Sequence, residues 1–204
     1  MDFVAHLSKD KKLKKIIALQ DILCLKKKKN ICLYLCYSII SQQLSTKVAK
    51  IISKRFIDLF NGKNPNAQQI VTISFEKLRG IGMSNAKANY VQNVARFELE
   101  HGMAFSKLNK MDDEEVIAYL TQIKGVGRWT VEMLLMFALG RENVFAADDL
   151  GIQIAMTKIY NLDATNKKLL KENMQQLSAK WHPYKTFACL YLWRWKDDAP
   201  VSKK

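Results

Sequence analysis

The sequence predicts an all-α protein with two helical lobes, and three observations lead to this fold class. The chain has 204 residues, of which 49% are apolar, enough to bury a sizeable core. It contains only 8 glycines and 3 prolines, a scarcity that argues against β-sandwiches and low-complexity linkers. Apolar residues recur at helical spacing, and we find no alternating run long enough to indicate a strand.

Residues that start and stop helices place the elements along the chain. Asparagine, serine and aspartate side chains accept backbone N–H groups at helix starts, and glycine or asparagine commonly follows helix ends. The expected helices cover residues 3–17, 31–43, 45–60, 74–78, 84–100, 112–122, 128–139, 149–160, 164–180 and 183–196. The candidate caps of the second to fifth of these are Asn30, Ser45 or Thr46, Ser74 and Ser84.

The most apolar stretch, residues 31–40, predicts a central buried helix. It is about half as long as a membrane span requires, so we expect no transmembrane segment. No linker rich in Gly, Ser or Pro divides the chain, which predicts a single domain over residues 1–204. Its two expected lobes comprise residues 30–135 and residues 1–29 together with 136–204.

The charge balance indicates a polyanionic partner. Lys and Arg number 33 against 19 Asp and Glu, a net charge of +14, and nucleic acid is the first candidate. The N-terminus is charged early and lacks the hydrophobic core of a signal peptide, so we expect a protein that is not secreted and stays in the cytosol. Four scattered cysteines without a Cys-x-x-Cys pair argue against a zinc site or an iron–sulfur cluster.

Two turns share the pattern Gly-apolar-Gly at the start of a helix, at residues 78–84 and 123–130. Backbone N–H groups at a helix start favour an anion such as a phosphate. The first turn is equally well interpreted as a plain corner between helices. The second is flanked by Lys124 and Arg128, which favours a phosphate contact. Neither turn fits a Rossmann or P-loop fingerprint.

Four segments, at residues 38–46, 121–130, 142–150 and 183–193, occur in an order and spacing that resemble a known family. The chain resembles the helix-hairpin-helix (HhH-GPD) superfamily of DNA glycosylases, and within it the branch that acts on alkylated bases, the 3-methyladenine DNA glycosylase II type. The resemblance spans residues 30–196. It implies the all-α, two-lobed fold of that family, without the N-terminal β domain of the larger bacterial alkylation glycosylases.

The resemblance also implies roles for individual residues of a catalytic site. Asp149 matches the catalytic aspartate, and Asp148 matches its neighbour, which caps a helix or orients the site. Trp129 and Trp193 match aromatic positions that line the pocket for the damaged base. Met133, one turn after Trp129, is expected either in the core or in the wall of that pocket.

Contacts with DNA are expected from the second glycine turn and from the turn that ends the central helix. They comprise Lys124, Gly125, Val126, Gly127, Arg128 and Thr130, and Gln42, Gln43 and Leu44, one of which enters the gap left by the extruded nucleotide. In relatives the carbonyls equivalent to those of Thr121, Ile123 and Val126 can hold a monovalent cation. A structural K⁺ or Na⁺ there is therefore an expectation, and no other cofactor is expected.

The implied reaction is hydrolysis of the bond between sugar and base after the nucleotide leaves the duplex. Relatives that also cut the strand carry a lysine where this chain has Trp129, so the resemblance implies a monofunctional enzyme without lyase activity. The implied partner is double-stranded DNA containing a damaged base, bound by a monomer that has no membrane partner. Its expected location is wherever the genomic DNA is, which in a bacterium is the nucleoid.

Two alternatives remain open from the sequence. The pocket could accept another lesion, such as a deaminated or oxidised base, with the same chemistry. The chain could also be a helix-hairpin-helix module that binds DNA without catalysis, although Asp149 argues against it. Release of a free base, which leaves an abasic site, distinguishes an enzyme from a binding module.

Overall fold

The structure of the protein, a computed structural model, describes residues 2–21 and 24–198. These residues contain no β-strand, which confirms the predicted all-α fold class. The helices are α1 (Asp2–Leu7), α2 (Lys11–Ile17), α3 (Ile31–Ser41), α4 (Thr46–Asp58), α5 (Ala67–Thr72), α6 (Phe75–Gly80), α7 (Asn85–His101), α8 (Phe105–Leu108), α9 (Asp113–Leu120), α10 (Arg128–Leu134), the π-helix π1 (Leu135–Leu139), α11 (Leu150–Tyr160), α12 (Lys167–Ala179) and α13 (Lys185–Asp198). Within the described ranges, no helix has the length and apolar character needed to cross a membrane.

The predicted N-caps form in the structure. Asn30 accepts the N–H of Leu33 at the start of α3, and Ser84 accepts the N–H of Lys87 at the start of α7. Ser45 and Ser74 begin α4 and α6 in the same way. Satisfying an orphan N–H at a helix start stabilises a helix by about 1 kcal/mol, so these local signals fix where the helices begin.

Several elements differ from the predicted ones. The first predicted helix is two helices, because the side chain of Asp10 accepts backbone N–H groups and begins α2 after a turn. Two short helices, α5 and α8, lie where none was predicted. Asn66 and Gln69 form a capping box at the start of α5. The spacing of apolar residues does not reveal this signal. The predicted helix over residues 128–139 changes from α to π at Leu135.

The chain divides into two compact units. The first, called the central unit, comprises residues 26–139. Its core is built around α3, whose Leu35, Cys36, Ile39 and Ile40 are completely buried, and α3 packs against α4, α7 and α10. This confirms the prediction that α3 is a central buried helix. The central lobe predicted from the sequence, residues 30–135, lies within the bounds of this unit.

The second unit, called the terminal unit, comprises residues 1–25 and 140–204, of which the structure describes 2–21, 24, 25 and 140–198. Helix α13 packs against α11 and α2. Trp181 and Tyr191 are the largest fully buried side chains of this unit. Their burial supplies apolar area that stabilises the packing between the N-terminal and C-terminal helices described in this unit.

A buried carboxylate ties the terminal unit together. Asp10 accepts hydrogen bonds from the hydroxyl of Tyr160 at 2.6 Å and from the indole N–H of Trp181 at 3.1 Å, and it forms an ion pair with Lys180 at 3.0 Å. Burial alone raises the pKa of Asp10, but these bonds, together with the N–H of Lys12, outweigh it and lower the pKa to about 2. The ionised carboxylate therefore stabilises the fold.

We expect Asp10→Asn to lower the free energy of unfolding at pH 7 by about 2 to 4 kcal/mol, since it removes the charge that five donors surround. The pKa of Asp10 in the folded state lies below its ordinary value of 3.8. The stability that Asp10 adds is thus present above pH 3.8 and is lost as the pH falls towards 2. Guanidinium unfolding at pH 7 and at pH 2 measures both effects.

The control is Asp197→Asn, which removes an exposed carboxylate from the same unit and should change stability little. If the difference between wild type and Asp10→Asn were as large at pH 2 as at pH 7, ionisation of Asp10 would not be what stabilises the unit.

Candidate active site

Asp149 is the N-cap of α11, and its side chain is partly exposed. Its Oδ1 accepts the N–H of Ile152 at 2.9 Å and the indole N–H of Trp193 on α13 at 2.7 Å. A Cβ atom on Gly151 would lie 3.0 Å from both Oδ1 of Asp149 and Cδ1 of Trp193. The structure therefore brings the predicted catalytic carboxylate and one predicted aromatic residue into direct contact, and a Cβ at position 151 would contact both of them tightly.

The resemblance implied that Asp148 caps a helix or orients the site. The cap of α11 is Asp149, and Asp148 instead forms an ion pair with Lys171 on α12, at 2.7 and 2.8 Å. Both side chains are well exposed, so this pair contributes little to stability. The loop before α11 is held by the side chain of Gln153, which donates to the carbonyl of Ala147 at 2.9 Å.

The second glycine turn is part of the central unit and joins α9 to α10. The N–H of Val126 donates to the carbonyl of Ile123 at 2.9 Å, and Gly125 has a φ of +107°. A Cβ atom at position 125 would lie only 2.2 Å from the ring of Tyr90. Gly127 is the N-cap residue of α10, with an ordinary φ of −95° and no atom within 4 Å of a Cβ. Of the two glycines, only Gly125 is required by the packing.

Arg128, the first residue of α10, contacts two carboxylates. Its guanidinium donates two hydrogen bonds to Glu114 on α9, one of them at 3.0 Å, and its Nε donates to Glu132 at 3.1 Å. The side chain of Glu114 is exposed, whereas that of Glu132 is only 7% exposed. The hydrogen bond and charge of Arg128 lower the pKa of Glu114. A phosphate that binds Arg128 must therefore compete with Glu114.

The other residues predicted around this turn divide by exposure. Lys124 is exposed, and its carbonyl accepts the side-chain amide of Asn93 at 3.2 Å. The side chains of Val126 and Thr130 are each only 4% exposed. Direct contact of these two side chains with DNA is thus not available in this structure, and only their backbone groups can take part.

The predicted pocket residues lie in both units. Trp129 on α10 is 41% exposed, and Met133, one turn later, is 9% exposed, so Met133 belongs mainly to the core of the central unit. Trp193 is half-buried in the terminal unit. Asp149 and Trp193 are in direct contact, and Trp129 is exposed on α10.

The turn between α3 and α4, residues 42–44, has a partner that the sequence did not indicate. The ammonium of Lys87 on α7 donates to the carbonyls of Ile40 at 2.9 Å and of Gln42 at 2.6 Å. No local pattern connects Lys87 to a turn 45 residues earlier in the chain, and the same holds for Tyr90 beside Gly125. Side chains that support a site from a distant element are found only in the folded structure.

The expected monovalent cation stays a prediction. Of the three carbonyls expected to hold it, that of Ile123 already accepts the N–H of Val126, although a carbonyl oxygen has a second lone pair. A cation at this turn would share that oxygen and draw on the carbonyls of Thr121 and Val126. Among the residues that the structure describes, no group of three His, Cys, Asp or Glu side chains could hold a metal ion.

Comparison with known proteins identifies similar chains. The family model "HhH-GPD superfamily base excision DNA repair protein" matches residues 36–182. The chain is 36% identical over 169 residues to a putative DNA-3-methyladenine glycosylase of Bacillus subtilis, covering 80% of this chain but 57% of that protein. It is also 36% identical over 169 residues to DNA-3-methyladenine glycosylase 1 of Schizosaccharomyces pombe, covering 81% of this chain and 72% of that protein.

Solved structures give the same result. The 3-methyladenine DNA glycosylase of Schizosaccharomyces pombe, in complex with abasic DNA, is similar over 100% of both chains with a TM-score of 0.86 and 32% identity. A DNA-3-methyladenine glycosidase from Bacillus halodurans is similar over 95% of this chain and 88% of that one, with a TM-score of 0.81 and 34% identity.

We expect Gly125→Ala to lower the free energy of unfolding by about 2 to 4 kcal/mol, because the added Cβ meets the ring of Tyr90 and the residue must adopt a positive φ. Gly127→Ala is the matched control, since its Cβ enters open space and its φ suits any residue. It should change stability by less than about 1 kcal/mol. Urea unfolding of both variants measures the difference, and equal effects would contradict the close contact.

Proposed function

The chain belongs to the HhH-GPD superfamily of base excision DNA repair proteins. We propose that it is a monofunctional DNA N-glycosylase that hydrolyses the bond between sugar and base and so releases alkylated purines of the 3-methyladenine type from double-stranded DNA. The observation that carries the proposal is the carboxylate of Asp149, held at the start of α11 by the indole N–H of Trp193. It supports a fixed negative charge beside the sugar of an extruded nucleotide.

The carboxylate has a specific task in this reaction. When the bond from C1′ of the sugar to the ring nitrogen breaks, its electron pair leaves with the base and the sugar becomes an oxocarbenium ion. A carboxylate already oriented by two donors stabilises that charge without reorganising. Water then adds to C1′ and loses a proton. Asp149 can stabilise the cation, accept that proton, or do both.

An alkylated purine can leave the sugar without a general acid that protonates it. Alkylation at N3 or N7 gives the base a positive charge, so the electron pair that leaves with the base neutralises it and no proton has to be supplied. The exposed ring of Trp129 can stack on such a base, and a cation over an indole gains about 0.5 to 2 kcal/mol. Trp129 also occupies the position where a lysine would be needed to form a Schiff base, which supports hydrolysis without strand cleavage.

Binding of DNA draws on the second glycine turn and on the charge of the chain. The N-terminal backbone of α10 offers N–H groups at a helix start, next to the exposed Lys124. The net charge of +14 gives a strong attraction for the DNA backbone that weakens steeply with salt. We propose double-stranded DNA with a damaged base as the partner and the compartment of the genomic DNA as the place of action.

We expect wild type to release free 3-methyladenine from methylated duplex DNA, measured by chromatography, and Asp149→Asn to reduce this release by at least about a hundredfold. Asparagine keeps an oxygen that can accept the N–H groups of Ile152 and Trp193, so the cap of α11 remains. Affinity for a duplex containing an abasic-site mimic should therefore stay within about tenfold.

The matched control is Asp148→Asn, which removes the neighbouring exposed carboxylate and should keep most of the turnover. Equal losses of turnover and of binding in Asp149→Asn would contradict a catalytic role. If wild type releases no methylated base, deaminated and oxidised lesions are tested next, and unchanged DNA with all of them would indicate a binding module.

We expect Glu114→Gln to tighten binding to duplex DNA severalfold, because the substitution removes a charge that competes with phosphate for Arg128. If Arg128 gains a phosphate contact, the slope of log affinity against log salt should steepen by about one. Fluorescence anisotropy at several salt concentrations measures both quantities. Glu100→Gln, which removes an equally exposed charge from α7, should leave the slope unchanged. An unchanged affinity together with an unchanged slope in Glu114→Gln would show that Glu114 does not compete with a phosphate for Arg128.

A further inference from the structure

The turn between α3 and α4 has a backbone conformation that its sequence does not favour. The N–H of Leu44 donates to the carbonyl of Ser41 at 3.2 Å, which closes a four-residue turn. Gln42 has φ −52° and ψ 131°, and Gln43 has φ 55°. These angles correspond to a type II turn, whose third position favours glycine or asparagine. Here that position holds an exposed glutamine.

This glutamine is unusual within the molecule. In the part of the chain that the structure describes, the other non-glycine residues with positive φ are Asn61 and Asn161. Asparagine tolerates the left-handed region because its short side chain can hydrogen-bond locally, whereas glutamine lacks that advantage. A side chain held in a disfavoured backbone region needs an interaction that holds it there, and such residues concentrate at functional sites.

Lys87 provides that interaction. Type I and type II turns differ in the orientation of the central peptide, which here joins Gln42 to Gln43. The carbonyl of that peptide belongs to Gln42, and the ammonium of Lys87 lies 2.6 Å from it. The same ammonium contacts the carbonyl of Ile40, 2.9 Å away, at the C-terminal end of α3, where a cation is favoured. Lys87 itself is anchored by its backbone N–H, which donates to Ser84.

We propose that Lys87 is a positioning residue: it holds the peptide between Gln42 and Gln43 in the type II orientation and so presents the Gln43 side chain to DNA. Without the ammonium, that peptide can turn over to a type I conformation, in which φ of Gln43 becomes negative and its side chain leaves the turn in another direction. The DNA-directed part of the proposal rests on the proposed glycosylase function, and the backbone part does not.

The backbone part is tested by thermal unfolding of four proteins: wild type, Lys87→Met, Gln43→Gly and the double variant. With Lys87 present, glycine relieves the disfavoured φ, so Gln43→Gly should raise the melting temperature. With Lys87→Met the turn is already relaxed, and the same glycine should lower it through its greater entropy when unfolded. Equal shifts in both backgrounds would overturn the proposal, since Lys87 would then only cap α3.

The charge control is Lys50→Met on α4, an exposed lysine. In that background, Gln43→Gly should raise the melting temperature as it does in wild type. Lys87→Arg is the conservative variant, because arginine can also donate to two carbonyls, and it should keep the behaviour of wild type. If Lys87→Met does not fold, Lys87→Gln, which removes the ammonium but keeps a polar side chain, takes its place in the four-protein comparison.

The DNA-directed part is tested with a duplex that carries 2-aminopurine beside an abasic-site mimic, since insertion of a side chain unstacks the probe and raises its fluorescence. At saturating protein, wild type and Lys87→Arg should give the full rise, and Lys87→Met less than about half of it. An equal rise with Lys87→Met would overturn this part. A lysine that only contacted phosphate would weaken binding but leave the rise at saturation unchanged.

The two hypotheses fail separately. If wild type releases no damaged base but the effect of Gln43→Gly depends on Lys87, the glycosylase function is wrong and the backbone role of Lys87 stands. If base is released but that dependence is absent, the function stands and the positioning role is wrong.

Discussion

The hydrogen bond between the indole N–H of Trp193 and Oδ1 of Asp149 is the interaction on which the terminal unit's site depends. The same oxygen caps α11 through the N–H of Ile152. One atom therefore sets where α11 begins, ties α13 to it and orients the carboxylate. A Cβ at position 151 would lie 3.0 Å from both partners, so Gly151 allows α13 to approach the start of α11 this closely. A rigid carboxylate of this kind is what stabilisation of a developing positive charge requires.

In the central unit, one face of α7 organises both turns that are proposed to approach DNA. Lys87, Tyr90 and Asn93 are spaced by three residues, so they lie along neighbouring positions of the helix surface. Lys87 contacts the turn after α3, Tyr90 packs against Gly125, and Asn93 donates to the carbonyl of Lys124. Each of the two turns contains a residue with positive φ. A long, regular helix thus supports two backbone segments that have few favourable local interactions of their own.

Features that depend on neighbouring residues could be predicted from the sequence, whereas contacts between distant residues could not. Helix starts such as Asn30 and Ser84 were predictable because the capping side chain and its partner are three residues apart. The position of Asp149 followed from a resemblance in the order of segments. The roles of Lys87 and Tyr90 were not predictable, since their partners lie 35 to 47 residues away and the contacts are decided by packing. The same reason applies to the π-helix after α10, which no local pattern announces.

Part of the positive charge of the chain is engaged in ion pairs within the protein and is therefore less available to bind DNA. Arg128 is the cation nearest the start of α10, yet it is paired with Glu132, which is nearly buried, and with Glu114, which is exposed. Breaking an ion pair with a nearly buried carboxylate costs much free energy, because that charge is left without a partner. An ion pair with an exposed carboxylate is replaced by one with a phosphate at little net change in free energy. Arg128 can therefore keep Glu132 while it exchanges Glu114. Such an exchange favours binding of a correctly positioned phosphate over binding of any other negative charge.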